Sequence, residues 1–261
     1  LILKALDSIF RQTYQDFEVL IIDDASTDQT DRVIRELNHP RVRYFKMDTN
    51  GGQCIARNYG IRQAKGEFVA FLDSDDEWLP EKLEKQVALF DSGSKRMGGV
   101  YGNSYTTDAI RGTTQLVETR NHRGDVHEAF LRGFCPPTPS LFIVKREALE
   151  RVGGFDEDLL TFVDLDLWMR ISEHYDFDYV QDPVIIKYEQ IGDQYVNNFK
   201  KRYRGYHLFL KKWADELTKR VEKQGLMEMR SHLVYAIVIP ILDHPPENLR
   251  EDIGKVLGLL F

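Results

Sequence analysis

Two short apolar runs each end in a cluster of carboxylates, and this pattern constrains the fold more than any other feature of the chain. Phe17 to Ile22 runs into Asp23-Asp24-Ala25-Ser26-Thr27-Asp28, and Phe68 to Leu72 runs into Asp73-Ser74-Asp75-Asp76. Nearly unbroken apolar runs of this length read as strands buried on both faces, as in a parallel sheet. Between them, Val33, Ile34 and Leu37 mark a short helix, Val42 to Phe45 a further strand, and Gln53 to Ala64 a helix stopped at Lys65-Gly66. Pro80 opens another helix carrying Leu83, Val87 and Phe90 on one face. Strand–loop–helix alternation predicts an α/β fold with a mostly parallel, doubly wound, Rossmann-like sheet. Such sheets bind ligands beyond the carboxyl ends of their strands, where both acidic clusters fall.

Further along, Gly99 to Leu116 is β-like and Ser140 to Val144 reads as a strand. Arg146 to Val152 reads as a helix closed by Gly153-Gly154, and Asp164 to Ser172 as a second helix. From Tyr188 the sequence turns helical and basic, ending in a helix expected around Asn248 to Phe261. These features divide the chain into an α/β unit, residues 1–190, and a helical C-terminal extension, residues 191–261. At the other end, Ile2, Ala5, Leu6, Ile9 and Phe10 follow helical spacing. Residue 1 therefore adjoins a helix, although a strand is expected before it, and the N-terminal end reads as cut short.

Composition narrows the function classes. The 261 residues are 42% apolar and 30% charged, enough to bury a core without disulfides. A net charge of -7 argues against non-specific nucleic-acid binding. Cys54 and Cys135 show no ligand spacing and are expected to be small buried hydrophobes in a reducing compartment. The seven histidines share no ligand pattern and are expected at the surface or in packing. The longest apolar run, Leu233 to Leu242, is too short to span a bilayer and contains Pro240.

The acidic cluster at 73–76 admits two readings. Asp73 and Asp75 can share a hard cation, Mg²⁺ or Mn²⁺, or the cluster can cap the helix that Pro80 opens. Asp23-Asp24 can accept hydrogen bonds from a base or ribose, or form a turn capped through Ser26 or Asp28. Arg57 can pair with a diphosphate, brace the acidic cluster, or sit at the surface. Phe199 to Trp213 interleaves basic and apolar residues. As a helix it can rest on an anionic membrane or lay its apolar face on the domain.

In order, these segments resemble the family-2 glycosyltransferases, which have the GT-A fold and invert the anomeric centre. The matching text comprises Phe17 to Asp28, Asn50-Gly51-Gly52, Ala56-Arg57-Asn58-Tyr59-Gly60-Ile61 and Ala64 to Asp76. Val152-Gly153-Gly154-Phe155-Asp156-Glu157 and Asp164-Leu165-Asp166-Leu167-Trp168 fit the acceptor side. The resemblance implies a metal-assisted transfer from a nucleoside-diphosphate sugar donor to a glycan or lipid-linked acceptor. The expected setting is cytoplasmic, at the inner face of a membrane, with peripheral contact. It places Asp24, Arg57, Asp73 and Ser74 on the donor, which uridine fits by analogy with guanosine and thymidine left open. It makes Asp73 and Asp75 the Asp-x-Asp motif, with Asp75 the direct metal ligand, and Asp164 the catalytic base. Three departures stand out. The first strand and its nucleotide-holding loop are missing, Val163 replaces a Glu before the base, and residues 189–192 offer no histidine. A nucleotidyltransferase and a non-catalytic sugar-nucleotide-binding module remain as alternatives.

Overall fold

A computed structural model describes residues 1–108, 111–136, 138–189, 199–221 and 223–243; the helix expected around Asn248 to Phe261 lies outside these residues. Helix α1 (Ile2–Phe10) buries Ala5, Leu6 and Ile9. Strand β1 (Val19–Asp23), helix α2 (Thr30–Leu37) and strand β2 (Val42–Lys46) follow, with β1 and β2 parallel and Val19 opposite Val42. Helix α3 (Gln53–Gln63) leads to β3 (Phe68–Ala70), β4 (Asp76–Trp78) and α4 (Lys82–Ser92). Next come β5 (Met97–Asp108), β6 (Thr113–Val117), α5 (His127–Leu131), a 3₁₀ turn (Pro139–Leu141) and β7 (Ile143–Lys145). The chain continues through α6 (Arg146–Val152), α7 (Val163–Ser172), β8 (Asp176–Glu189), α8 (Phe199–Arg220) and α9 (Lys223–Asp243).

The α/β architecture with a helical C-terminal region is as expected, while the larger sheet is mixed rather than mostly parallel. Its order is β3-β7-β5-β8-β4, with β6 paired to β5. Only β5–β8 is parallel in it; β3–β7, β5–β7, β4–β8 and β5–β6 are antiparallel. The cause is local connection. Strand β6 returns from β5 as a hairpin, and β7 enters from the loop after α5 rather than from a crossover helix. An apolar run records burial on both faces but not the direction of its neighbours.

Buried polar side chains fix the elements around the acidic loop. Gln12, just past α1, donates from Nε2 to Leu79 O (2.8 Å), and its Oε1 accepts from Leu83 N (3.0 Å). Ser8 Oγ accepts from Trp78 N at 3.0 Å. On α4, Gln86 Nε2 donates to Leu141 O (2.8 Å) and Val100 O (3.2 Å). Beneath lies an aromatic core in which Phe142 stacks on Trp168 with ring centroids 4.0 Å apart.

Asn58 joins the two halves of the chain. From α3 its Nδ2 donates to Phe155 O and its Oδ1 accepts from Phe155 N, at 2.8 and 2.7 Å. The approach is so close that a Cβ on Gly154, at φ +74°, would lie 2.4 Å from Asn58 Oδ1. Asn58→Ala would strand two buried backbone groups, and we expect it to lower the unfolding free energy by about 2–3 kcal/mol. Urea denaturation with an unchanged m-value is the check; Arg32→Ala, on an exposed face, should shift stability by less than about 0.5 kcal/mol.

Candidate active site

The end of β1 organises the first wall. Asp23 accepts from Ser26 N at 2.7 Å, and although burial opposes it, the hydrogen bonds from Ser26 and Tyr44 hold its carboxyl below the ordinary range. Asp24 turns the other way, where its two carboxylate oxygens accept from Gly51 N and Gly52 N, both at 2.7 Å. Asn50 Nδ2 donates to Asp24 O at 3.0 Å. Gly52 has φ +87°, a conformation natural to glycine, and directly precedes α3. The sequence thus uses Asp24 to latch the turn that launches α3. Asp28 Oδ1 accepts from Thr30 N, the first residue of α2, from one place ahead of the cap position that Gln29 holds.

One turn into α3, Arg57 reaches across the molecule. Its Nη2 donates to Asp73 Oδ1 at 2.7 Å and its Nη1 to Asp164 Oδ1 at 3.2 Å. With a side chain only 16% exposed, it is a bracing group rather than a surface arginine. Desolvation works against its charge, but Asp164 and Asp73 hold the guanidinium firmly protonated. Its face also lies 5.3 Å from the Phe155 ring.

The second acidic cluster spans the end of the β3 loop and the start of β4. Asp73 N donates to Ser140 Oγ at 3.0 Å, and Thr138 Oγ1 lies 3.1 Å from Asp73 Oδ2 and 3.3 Å from Asp76 Oδ2. Asp76 is buried in β4 opposite Lys187. Burial, reinforced by Asp73 and Asp75 and offset by Ser140 and Lys187, raises its carboxyl to about 6. Asp164 is the second residue of α7, inside the helix rather than at its cap, and desolvation raises its carboxyl to about 6 despite the Arg57 charge. The residue at the cap is Phe162, at φ +58°, a left-handed conformation costly for a bulky side chain. Its ring is held edge-on by Phe209 of α8 at 5.6 Å.

Arg57, Asp73, Asp75, Asp76, Thr138 and Asp164 converge on one cleft of about 310 Å³. Lys187 and Tyr188 of β8, Arg202 of α8 and Val163 complete its walls. Asp24 and Ser74 are not among the lining residues, and Ser74 is exposed. Sequence reasoning missed Asp76, Thr138, Lys187 and Arg202. Thr138 stands between prolines as Thr-Pro's partner to Ser140, a weak signal, and the two cations come from segments with no motif. Four carboxylates line the cleft, two of them paired to Arg57, and form an all-oxygen donor set suited to Mg²⁺ or Mn²⁺. Asp76 is raised chiefly by its burial and further by Asp73 and Asp75 beside it, negative charge that a bound cation would offset.

The α/β framework, with a carboxylate-lined cleft at strand ends, has the GT-A fold. The crystal structure of S. aureus TarS 1-349 in complex with UDP-GlcNAc has a TM-score of 0.62 at 18% identity, covering 99% of this chain and 85% of that one. The mannosyltransferase PcManGT from Pyrobaculum calidifontis, in complex with GDP-Man and Mn²⁺, has a TM-score of 0.60 at 19% identity, covering 99% and 76%. Residues 1–153 match the model for glycosyl transferase family 2, and the chain belongs to that family. Its curated relatives include WcaA of Escherichia coli, a glycosyl transferase assigned by name to colanic acid biosynthesis. That protein is 26% identical over 245 residues, which is 88% of this chain and 82% of WcaA.

Arg57→Met would leave Asp73 and Asp164 facing each other without their shared cation. We expect a loss of about 2 kcal/mol at pH 7.5, discounted for partial exposure, that shrinks by pH 5, below the value of about 6 at which Asp164 takes up a proton. Chemical denaturation at the two pH values checks it.

Proposed function

We propose that this chain transfers a sugar from a nucleoside diphosphate to a hydroxyl of a glycan or lipid-linked acceptor, with inversion at the anomeric carbon. The observation that carries the reading is Arg57 holding the Asp73 and Asp164 carboxylates on one cleft. A donor-side group and a base are thereby fixed at a set separation, as a single displacement requires.

Asp164 takes the proton from the acceptor hydroxyl as its oxygen attacks the anomeric carbon. The bond from that carbon to the diphosphate breaks in the same step, so the configuration inverts and no glycosyl-enzyme forms. Lys187 and Arg202 line the cleft where they can meet the diphosphate's charge. Asp75, with Asp73, would hold Mg²⁺ or Mn²⁺, which when bound supplies Lewis-acid neutralisation of the departing phosphate. Asp24 acts on the donor through the turn it latches, with its remaining lone pairs available to a base. Ser74 can contribute to donor binding only from the rim. TarS with UDP-GlcNAc and PcManGT with GDP-Man support a nucleotide-sugar donor, and uridine is favoured by the resemblance. WcaA supports a polysaccharide acceptor. Among the described residues no helix is long and apolar enough to cross a membrane. Residues 1–190 form the catalytic unit in this reading, with 191–261 an extension whose first helix reaches the cleft.

Asp164→Asn should lower kcat by about 10²–10⁴-fold, as measured by nucleoside diphosphate release. Because only the carboxylate accepts the proton, the wild-type rate should rise with pH and reach half its plateau near about 6. A thermal-shift screen of UDP, GDP, dTDP and CDP with and without Mn²⁺ should show a metal-dependent rise with one nucleotide, abolished in Asp75→Asn. Pyrophosphate release, or donor binding with no turnover at all, would instead identify a nucleotidyltransferase or a binding module.

A further inference from the structure

Away from the cleft, three helices bring His127, Glu173 and Glu216 to one point. His127 opens α5, Glu173 follows the last residue of α7, and Glu216 lies on α8. One ligand-capable atom from each falls within 4.8 Å of the others.

The imidazole of His127 is the informative member. The residue is 4% exposed, and its Nδ1 lies 2.9 Å from Ser172 Oγ. That hydroxyl donates its single proton to Met169 O at 2.9 Å, so Nδ1 must carry the imidazole proton and Ser172 must accept it. Nε2 is therefore a lone pair in the neutral ring. It is buried, has no hydrogen-bond partner among the described residues, and faces Glu216 Oε1 at 3.8 Å. Although Arg220 pairs with Glu216 from its outer side, the gap between the oxygen and Nε2 holds two facing electron-pair donors and no described donor between them. A proton on Nε2 would leave a contact too long for a hydrogen bond. Two metal–ligand bonds of about 2.0–2.2 Å, opened beyond the tetrahedral angle, span that gap.

We propose that His127 Nε2, Glu216 and Glu173 bind a divalent transition-metal ion of the Zn²⁺ class, with solvent completing the coordination. An imidazole with two carboxylates selects Zn²⁺, Co²⁺ or Ni²⁺ over Mg²⁺ and Ca²⁺, which want oxygen alone. The Ser172 contact to Nδ1 is the outer hydrogen bond that orients metal-binding imidazoles. Glu173 is exposed and gives the ion a path from solvent. Arg220 Nε pairs with Glu216 Oε1, but its side chain is 57% exposed and free to swing away when the ion enters. The ion would clamp α8 to α5 and α7, a structural role separate from the oxygen-only cluster at Asp73 and Asp75. Sequence spacing hides the set, because each ligand comes from a different helix.

The test uses a chain carrying Asp73→Asn and Asp75→Asn, so that the two carboxylates assigned to the cleft metal contribute no ligand. After stripping with a chelator it is titrated with Zn²⁺ alone by calorimetry and thermal shift, and with Co²⁺ alone by visible absorption. One equivalent of Zn²⁺ should bind and raise Tm. Glu173→Gln and Glu216→Gln, added singly, should each weaken binding by at least about tenfold. Glu173 is at the surface, so its variant folds normally and its effect reads the metal site alone. No uptake of Zn²⁺, or uptake of equal affinity in both glutamine variants, overturns the proposal.

Discussion

A single guanidinium sits between two carboxylates that the chain places 91 residues apart in sequence and on opposite walls of the cleft, Asp73 and Asp164. Without Arg57, each carboxylate would repel the other in a desolvated pocket, and the walls would have reason to part. With it, α3, the loop after β3 and the first turn of α7 hold a common geometry. Other contacts protect that position. Asp24 latches the Gly51-Gly52 turn that starts α3, and Asn58, one residue past Arg57, clasps Phe155 beneath it.

The C-terminal helices are part of the same construction. Helix α8 buries Tyr206, Phe209, Trp213 and Leu217, so its apolar face lies on the domain while Lys201, Lys211 and Lys219 are exposed. Asp166, fully buried on α7, accepts from Trp213 Nε1 at 2.9 Å and pairs with Lys212 at 2.6 Å and Arg170 at 2.7 Å. A buried carboxylate with three donors is satisfied, and it locks the helix carrying Asp164 to the helix carrying Arg202. Cys54 is buried as expected, whereas Cys135 is exposed between the buried Phe134 and Pro136.

How much of this was legible in the sequence depends on the range of the interaction that fixes each part. Strands β1 and β3 announce themselves by apolar runs, and α6 spans Arg146–Val152 as its pattern and closing glycine predict. Arg57, Asp73, Asp75 and Asp164 were readable because they sit in recurring segments, and they meet in the cleft. Strand β4 was invisible because Asp76 and Glu77 look like loop, and only pairing with β8 makes them a strand. The antiparallel partners of β7, and the arrival of Lys187 and Arg202 at the cleft, depend on contacts between distant segments that leave no local periodicity. Residues 190–192, where the histidine of the family pattern would fall, lie outside the described residues.

Gly205 carries a further implication. A methyl group there would lie 2.3 Å from Thr161 Oγ1, so the absence of one carbon atom lets α8 lie flat against the segment leading into Asp164. Substitution at that spot would push α8 away from the Thr161 segment, shifting Arg202 and Asp164 relative to each other. Change in the tail therefore has a route into the cleft that needs no substitution among the residues lining it.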